Sequence, residues 1–125
     1  MMTDQQIQLG LHLALLANDR YTLLFRKQAH PHSACGAGFV MALLHGREYA
    51  TNAEVVEALK VAFETIPDVV GSSFVADAPG MTGPSFLRED QFVTMTLQTL
   101  DLLRGLKFVP ATGNYLVLQD FYNYY

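Results

Sequence analysis

Polar and apolar positions in the first thirty residues follow a helical period. Thr3, with a glutamine three residues later, has the pattern of a capping box, and polar side chains then recur along one stripe. The pattern predicts a first helix over residues 4 to 17. Asn18 is a suitable cap for a second helix over residues 19 to 29, which Pro31 would stop.

A second pattern overlaps the first predicted helix. Between residues 7 and 15, leucine or isoleucine occupies every second position, as on a half-buried β-strand. The length of the apolar stretch and the cap at Thr3 favour the helix.

A third predicted helix is unusually poor in large side chains along one face. Ser33 can cap it, and it would run to His45 before stopping at Gly46. Two glycines in one short helix cost about 1 kcal/mol each relative to alanine, and close packing of another helix would compensate. The helix that packs against this face can belong to a partner or to the same chain. The stripe consists of Ala34, Gly38 and Ala42.

Two further helices follow. Thr51 and Glu54 form a capping box for a fourth helix, which Pro67 should terminate. Ser85 can cap a fifth helix that extends through Arg104.

Two stretches in this part of the chain leave alternatives open. Residues 68 to 85 are rich in glycine, proline and serine and are too long for an idle connection, which indicates a binding loop or a loop with a short strand. Residues 92 to 98 alternate and contain β-branched side chains, so a strand competes there with the fifth helix.

The C-terminal quarter has the pattern of a β-hairpin. Residues 106 to 109 and 115 to 119 are strand-like and flank a turn over residues 110 to 114. An isolated hairpin is marginal in water, so it must pack on the helices or extend a partner's sheet. The sequence therefore predicts one mainly α domain over residues 1 to 125, a compact bundle of four or five helices with a C-terminal β-hairpin.

Composition adds an expectation of self-association. Half of the 125 residues are apolar or aromatic and only 16% are charged, which is apolar for a soluble domain. We expect part of this apolar surface to be covered in a homo-oligomer, with a well-packed monomer as the alternative.

Charge is unevenly distributed along the chain. The net charge of −4 gives no general attraction to nucleic acid. Residues 20 to 47 contain four basic residues and no acid, whereas residues 48 to 101 contain nine acids and two bases. The two regions either meet head to tail between copies or form solvated faces of separate helices.

Cysteine usage and hydropathy indicate the compartment. Cys35 is the single cysteine, so no internal disulfide can form. The apolar residues 9 to 17 lack the positively charged segment that precedes a signal sequence, and no run reaches the roughly 18 apolar residues of a membrane span. We expect a cytoplasmic protein of bacterial or phage type without a membrane partner.

A cluster of histidine and cysteine is the candidate for chemistry. His30, His32 and Cys35 are residue types that bind transition metals, and Pro31 favours the extended backbone in which two such histidines share one metal. The spacing matches no four-ligand zinc framework, and His45 lies about 15 Å further along the predicted helix. Surface histidines beside a packed cysteine are the alternative.

The same residues suggest thiol chemistry. A cysteine in the first turn of a helix has a lowered pKa, and His32 could act as base for Cys35. The sequence offers no evident orienting third group. A small metal- or thiol-dependent enzyme is therefore the alternative function.

The order of helices and hairpin is also typical of a winged-helix DNA-binding protein. Residues 51 to 66 would be the recognition helix and residues 110 to 114 the wing. Three glutamates against Lys60 on that helix, and a wing without arginine or lysine, argue against contact with phosphates.

The chain ends in an aromatic tail, Phe121, Tyr122, Tyr124 and Tyr125. Such a tail should dock on its own fold, on a sister subunit or on a partner, because chain ends are usually polar. If it is an interface, removal of residues 121 to 125 should change association and leave the helices intact. The sequence thus predicts a non-enzymatic protein-interaction protein (an adaptor, an assembly factor or a phage-type inhibitor of a host complex) that uses the tail and the small-residue stripe.

Overall fold

The fold is mainly α with a small antiparallel sheet near the C-terminus, as predicted. The computed structural model describes residues 1–76 and 88–123. In chain order, the described residues form α1 (Asp4–Phe25), α2 (Pro31–Leu43), β1 (Tyr49–Ala50), α3 (Asn52–Ala76), α4 (Glu89–Leu102), β2 (Leu106–Val109), β3 (Asn114–Val117) and a 3-10 helix (Gln119–Tyr122).

Helix α1 begins at the predicted capping box. The Gln6 amide donates to Thr3 Oγ1 over 3.1 Å, and the Thr3 amide donates to Gln6 Oε1 over 2.9 Å. The predicted break at Asn18 is wrong, because α1 continues as one helix to Phe25. Asn18 does not start a new helix; its Oδ1 accepts a 3.2 Å hydrogen bond from the Ala29 amide in the following connection. The alternative of a strand over residues 7 to 15 is also wrong, because these residues lie within α1.

Helix α2 begins three residues earlier than predicted. Pro31, expected to stop the preceding helix, occupies the first turn of α2, where its missing N–H costs nothing. His30, rather than Ser33, is the capping residue. The helix ends at Leu43, short of the predicted His45.

Helix α3 starts at the second predicted capping box, with Thr51 and Glu54 bonded reciprocally over 2.9 and 3.1 Å. The prediction that Pro67 ends this helix is wrong, because α3 continues to Ala76. Proline removes one helical hydrogen bond, but Val69 beyond it still packs against the core. Residues 68 to 76 of the predicted loop are therefore helical, and residues 77 to 85 lie outside the described residues.

Helix α4 follows a helical pattern of burial. Phe92, Thr96, Thr99 and Leu100 are buried at positions that fall on one face, so the strand alternative for residues 92 to 98 is wrong. The described part of this helix begins after Arg88; the predicted cap, Ser85, lies outside the described residues. Arg104, the predicted last residue, has a left-handed φ of 59° that is incompatible with continuing the helix.

The predicted hairpin is confirmed and gains a third strand. Strands β2 and β3 pair antiparallel, with Val109 opposite Asn114 beside the turn. Strand β1 adds to the other edge of β3, where Tyr49 lies opposite Leu116. The strand order is β1-β3-β2. Leu106 and Val117 are buried beneath the sheet, so the hairpin rests on the helical core of its own chain.

Helix α2 lies at the centre of the core and contacts α1, α3 and α4. Its residues 32 to 42 are all buried, including Phe39, Val40 and Met41. A helix that is apolar on every side is stable only when it is surrounded. Much of the high apolar content is thus used inside the fold. Within the described ranges, no helix combines the length and the hydropathy needed to cross a membrane.

Candidate functional site

His30 is engaged in the local structure of α2. Its Nδ1 accepts a 3.1 Å hydrogen bond from the His32 amide, which satisfies one of the free N–H groups at the start of the helix. An acceptor Nδ1 must be unprotonated, so this cap needs neutral His30. Burial lowers the pKa of His30 in the same direction. The spacing of the two histidines therefore has a structural explanation.

His32 is buried at the first turn of α2, and its ring lies edge-on to that of His30 with 5.5 Å between centroids. Burial, with a smaller contribution from the nearby His30, lowers the pKa of His32 to about 4. A small cavity of about 230 Å³ beside it is walled by Phe63, Ile66, Pro67 and Phe92. His32 is thus a neutral group in apolar surroundings at physiological pH.

Cys35 lies one turn further along α2 and is also buried. Burial raises the pKa of its thiol to about 11, which outweighs the favourable effect of the helix start. The thiolate is the nucleophile, so a thiol that is neutral at pH 7 does not support the catalytic role.

A metal centre finds no support in the geometry. Among residues 1–76 and 88–123, no three histidine, cysteine, aspartate or glutamate side chains are placed to hold a metal ion. His45 is occupied elsewhere, where its ring packs edge-on against Tyr122 with 5.0 Å between centroids.

The small-residue stripe of α2 is occupied by α1. A Cβ atom added to Gly38 would lie less than 3 Å from the backbone of Gly10 and Ala14. Ala34 and Ala42 are buried on the same face. The stripe therefore serves close packing, as predicted, and its neighbour is a helix of the same chain.

The described part of the aromatic tail folds back on the chain. Phe121 is fully buried in the core, and the Tyr122 hydroxyl donates a 2.6 Å hydrogen bond to the Met41 carbonyl oxygen. Tyr124 and Tyr125 lie outside the described residues. Of the three docking sites expected for the tail, its own fold is therefore the one that Phe121 and Tyr122 occupy.

The predicted recognition helix, the first part of α3, lies against the core through Val55 and Leu59. Its exposed side carries Glu57, Lys60 and Glu64, which is a net negative surface. Contact with phosphates would need the opposite charge, so the winged-helix alternative gains no support from the geometry.

An exposed apolar cluster at the end of α1 escaped the sequence analysis. Leu23, Leu24 and Phe25, here called the apolar tip, are 82%, 54% and 40% exposed. The hydrogen bond from Ala29 to Asn18 brings the connection back to α1, so the residues after Asn18 extend about 10 Å beyond that point. Three consecutive apolar residues are visible in the sequence, but their exposure depends on where the chain turns back after α1.

A groove lies between α1 and the start of α2. Its volume is about 470 Å³, and its walls are largely apolar, with Leu11 and Leu15 on one side and Ala34 and Cys35 on the other. Asn18 and Gln28 are its polar residues. Leu15 is 70% exposed at the groove, although its side chain is fully apolar. The tip and the groove are two apolar surfaces of the described chain that a partner or a ligand could cover.

Comparison of the chain with protein-family models, with curated proteins and with solved structures finds no match. The functional argument therefore rests on these two surfaces.

Proposed function

We propose that the protein is a non-enzymatic protein-interaction protein, and that it self-associates through the apolar tip of α1. The observation that carries this proposal is the exposure of Leu23, Leu24 and Phe25 on adjacent positions at the end of a helix. Fully burying one such side chain contributes about 1.5–3 kcal/mol. Three together are sufficient to anchor a helix end in an apolar pocket.

The charge around the tip favours a particular partner surface. Arg26 and Lys27 follow the tip directly and are exposed. Neither forms an ion pair within the described part of the chain. A surface with acidic residues around an apolar patch would complement them.

A second copy of the chain offers such a surface, because its residues 48 to 101 carry the acidic excess. On the exposed side of α3, Val56 is 55% exposed beside Glu57. Contact of the tip with this region joins unlike faces, so the proposed assembly is head to tail. An adaptor, an assembly factor or a phage-type inhibitor of a host complex would use the same tip on another protein.

The single thiol and the absence of a disulfide support action in the cytoplasm.

Native mass spectrometry of the full chain tests the proposal. We expect a metal-free oligomer that becomes a monomer in the double variant Leu23→Glu/Leu24→Glu. The matched control is Phe108→Glu, since Phe108 is 49% exposed and lies on β2 rather than on α1. We expect the control to remain associated. Higher salt should weaken the oligomer, because charges at an exposed rim are screened.

Two outcomes would overturn the proposal. If the wild-type chain stays monomeric over the accessible concentration range, the tip does not mediate self-association. A stoichiometric transition metal that disappears in His32→Ala would instead favour the metal-dependent enzyme.

A further inference from the structure

The groove between α1 and α2 has the dimensions of a small-molecule site. Its volume of about 470 Å³ falls within the range of known ligand pockets, roughly 300–1,000 Å³. Such pockets combine apolar walls with a few polar groups that orient the ligand. Here Leu11, Leu15 and Cys35 belong to the walls, and Asn18 and Gln28 are the polar groups.

We propose that this groove binds a single-chain amphiphile with a carboxylate head group, that is, a free fatty acid. The apolar walls would contact the hydrocarbon chain. Such a chain is flexible and can adapt to the groove between the two helices. Neither a metal nor a reactive thiol is needed. The proposal does not depend on self-association through the apolar tip.

The charge at one end of the groove selects the head group. Gln28 lines the groove, and Arg26 and Lys27 immediately precede it, so their Cα atoms lie within about 8 Å of its own. Both cations are exposed, and neither pairs with an acid among the described side chains. No acidic residue lines the groove. An anionic head group is therefore favoured there over a neutral or cationic one.

Asn18 adds a hydrogen-bond donor at the same end. Its Oδ1 already accepts from the Ala29 amide, which fixes the orientation of the carboxamide. Its Nδ2 is then available to donate to an acceptor in the groove, and a carboxylate oxygen is such an acceptor. Asp19 follows Asn18 directly in α1, and a negative charge at this position would repel a carboxylate head group bound near Asn18.

Isothermal titration calorimetry of the full chain with a series of saturated fatty acids, each below its micelle concentration, tests the proposal. We expect affinity to rise about fourfold for each added methylene and then to level off once the groove is full. The alcohol of matched chain length should bind several-fold more weakly than the acid. This preference should disappear in Arg26→Gln/Lys27→Gln, and Asp19→Asn should strengthen binding of the acid.

Matched variants locate the site. Leu15→Glu places a charge at the groove and should weaken binding of dodecanoate at least tenfold, and its exposure makes the substitution compatible with folding. Leu23→Gln/Leu24→Gln, at the tip, should leave dodecanoate binding unchanged, because it adds no charge beside Arg26 and Lys27. The two sets of variants therefore separate failure of the groove from failure of the proposed self-association.

Three results would contradict the proposal. Binding that is insensitive to Leu15→Glu lies elsewhere on the protein, and equal binding of acid and alcohol shows no selection of the head group. If dodecanoate does not bind and Leu15→Glu dissociates an oligomer, the occupant is a second copy of the chain.

Discussion

The hydroxyl of Tyr122 donates a 2.6 Å hydrogen bond to the carbonyl oxygen of Met41, a residue 81 positions earlier in the chain. Met41 lies in the last turn of α2, where carbonyl groups lack partners within the helix. The neighbouring carbonyls are bonded locally, since Val40 accepts from the Leu44 amide and Ala42 from the His45 amide. The C-terminal segment therefore completes the end of the central helix.

Tyr122→Phe should destabilise the fold, because it leaves the Met41 carbonyl without this donor. The expected loss is about 1–3 kcal/mol in the free energy of unfolding, the range for an unsatisfied buried polar group. Urea unfolding followed by circular dichroism measures it. Tyr21→Phe is the control, since the Tyr21 hydroxyl forms no hydrogen bond with a described residue and its loss should change stability by much less. Equal effects of the two substitutions would rule out this role for Tyr122.

The two ends of the aromatic tail should respond differently to removal. Phe121 is fully buried, so Phe121→Ala should cost about 3–5 kcal/mol, the range for a core phenylalanine. Deleting only Tyr124 and Tyr125 removes neither the core ring nor the Met41 hydrogen bond, and should leave unfolding in urea nearly unchanged. A truncated chain that loses its helical circular dichroism would show that the last two residues also belong to the core.

The sequence predicted the elements whose signals are local. Both capping boxes, at Thr3 and at Thr51, have the predicted reciprocal hydrogen bonds. The hairpin also formed where its turn and strands indicated. These features depend on residues a few positions apart, so their pattern is visible along the chain.

The errors occurred where distant contacts decide the outcome. The sequence predicts that Asn18 caps a helix, but its side chain accepts a hydrogen bond from the amide of Ala29, eleven residues away. The sequence predicts that a helix ends at Pro67, but α3 continues beyond it, and Val69 packs against the core. Strand β1 has two residues and exists only because β3 lies beside it. The candidate surfaces were missed for the same reason, since exposure of Leu15 and Leu23 depends on where α2 begins.

Gly38→Ala should destabilise the protein even though alanine is the better helix former. The added Cβ would meet the backbone of Gly10 and Ala14 at less than 3 Å, and backbone cannot move aside as a flexible side chain can. Overpacking of this kind costs about 1–3 kcal/mol or more, which exceeds the gain of about 1 kcal/mol in helix propensity. Thermal unfolding of the variant checks the sign: a raised melting temperature would mean that α1 and α2 do not approach this closely.

The Cys35 thiol should react slowly in the native protein. A pKa of about 11 in place of 9.0 lowers the thiolate fraction at pH 7 about a hundredfold, and burial restricts access further. Labelling with N-ethylmaleimide should therefore be at least a hundredfold slower in buffer than in concentrated urea. Cys35→Ser should abolish the labelling, which establishes its site. Rapid labelling of the native protein would show that the thiol is accessible and activated. That result would favour the thiol-dependent enzyme.

Stability should fall as the pH is lowered from 6.5 towards 4, because of the buried imidazole of His32. Its pKa is about 4 in the folded chain and 6.5 when unfolded, so between these values the unfolded chain takes up a proton that the folded chain does not. The free energy of unfolding is unaffected above this window and declines through it by about 3 kcal/mol. His30, whose pKa is lowered in the same direction, adds to the decline.

Urea titrations at a series of pH values test this dependence, with His32→Leu as the variant and His12→Gln as the control. The slope of stability against pH should become shallower in His32→Leu, whatever its absolute stability, and should be retained in His12→Gln because His12 is exposed. The slope is compared above about pH 5, because the Glu54 carboxyl, whose pKa is lowered from 4.5, loses its contribution to stability only below that pH. An unchanged slope in His32→Leu would mean that His32 is accessible to protons in the folded chain.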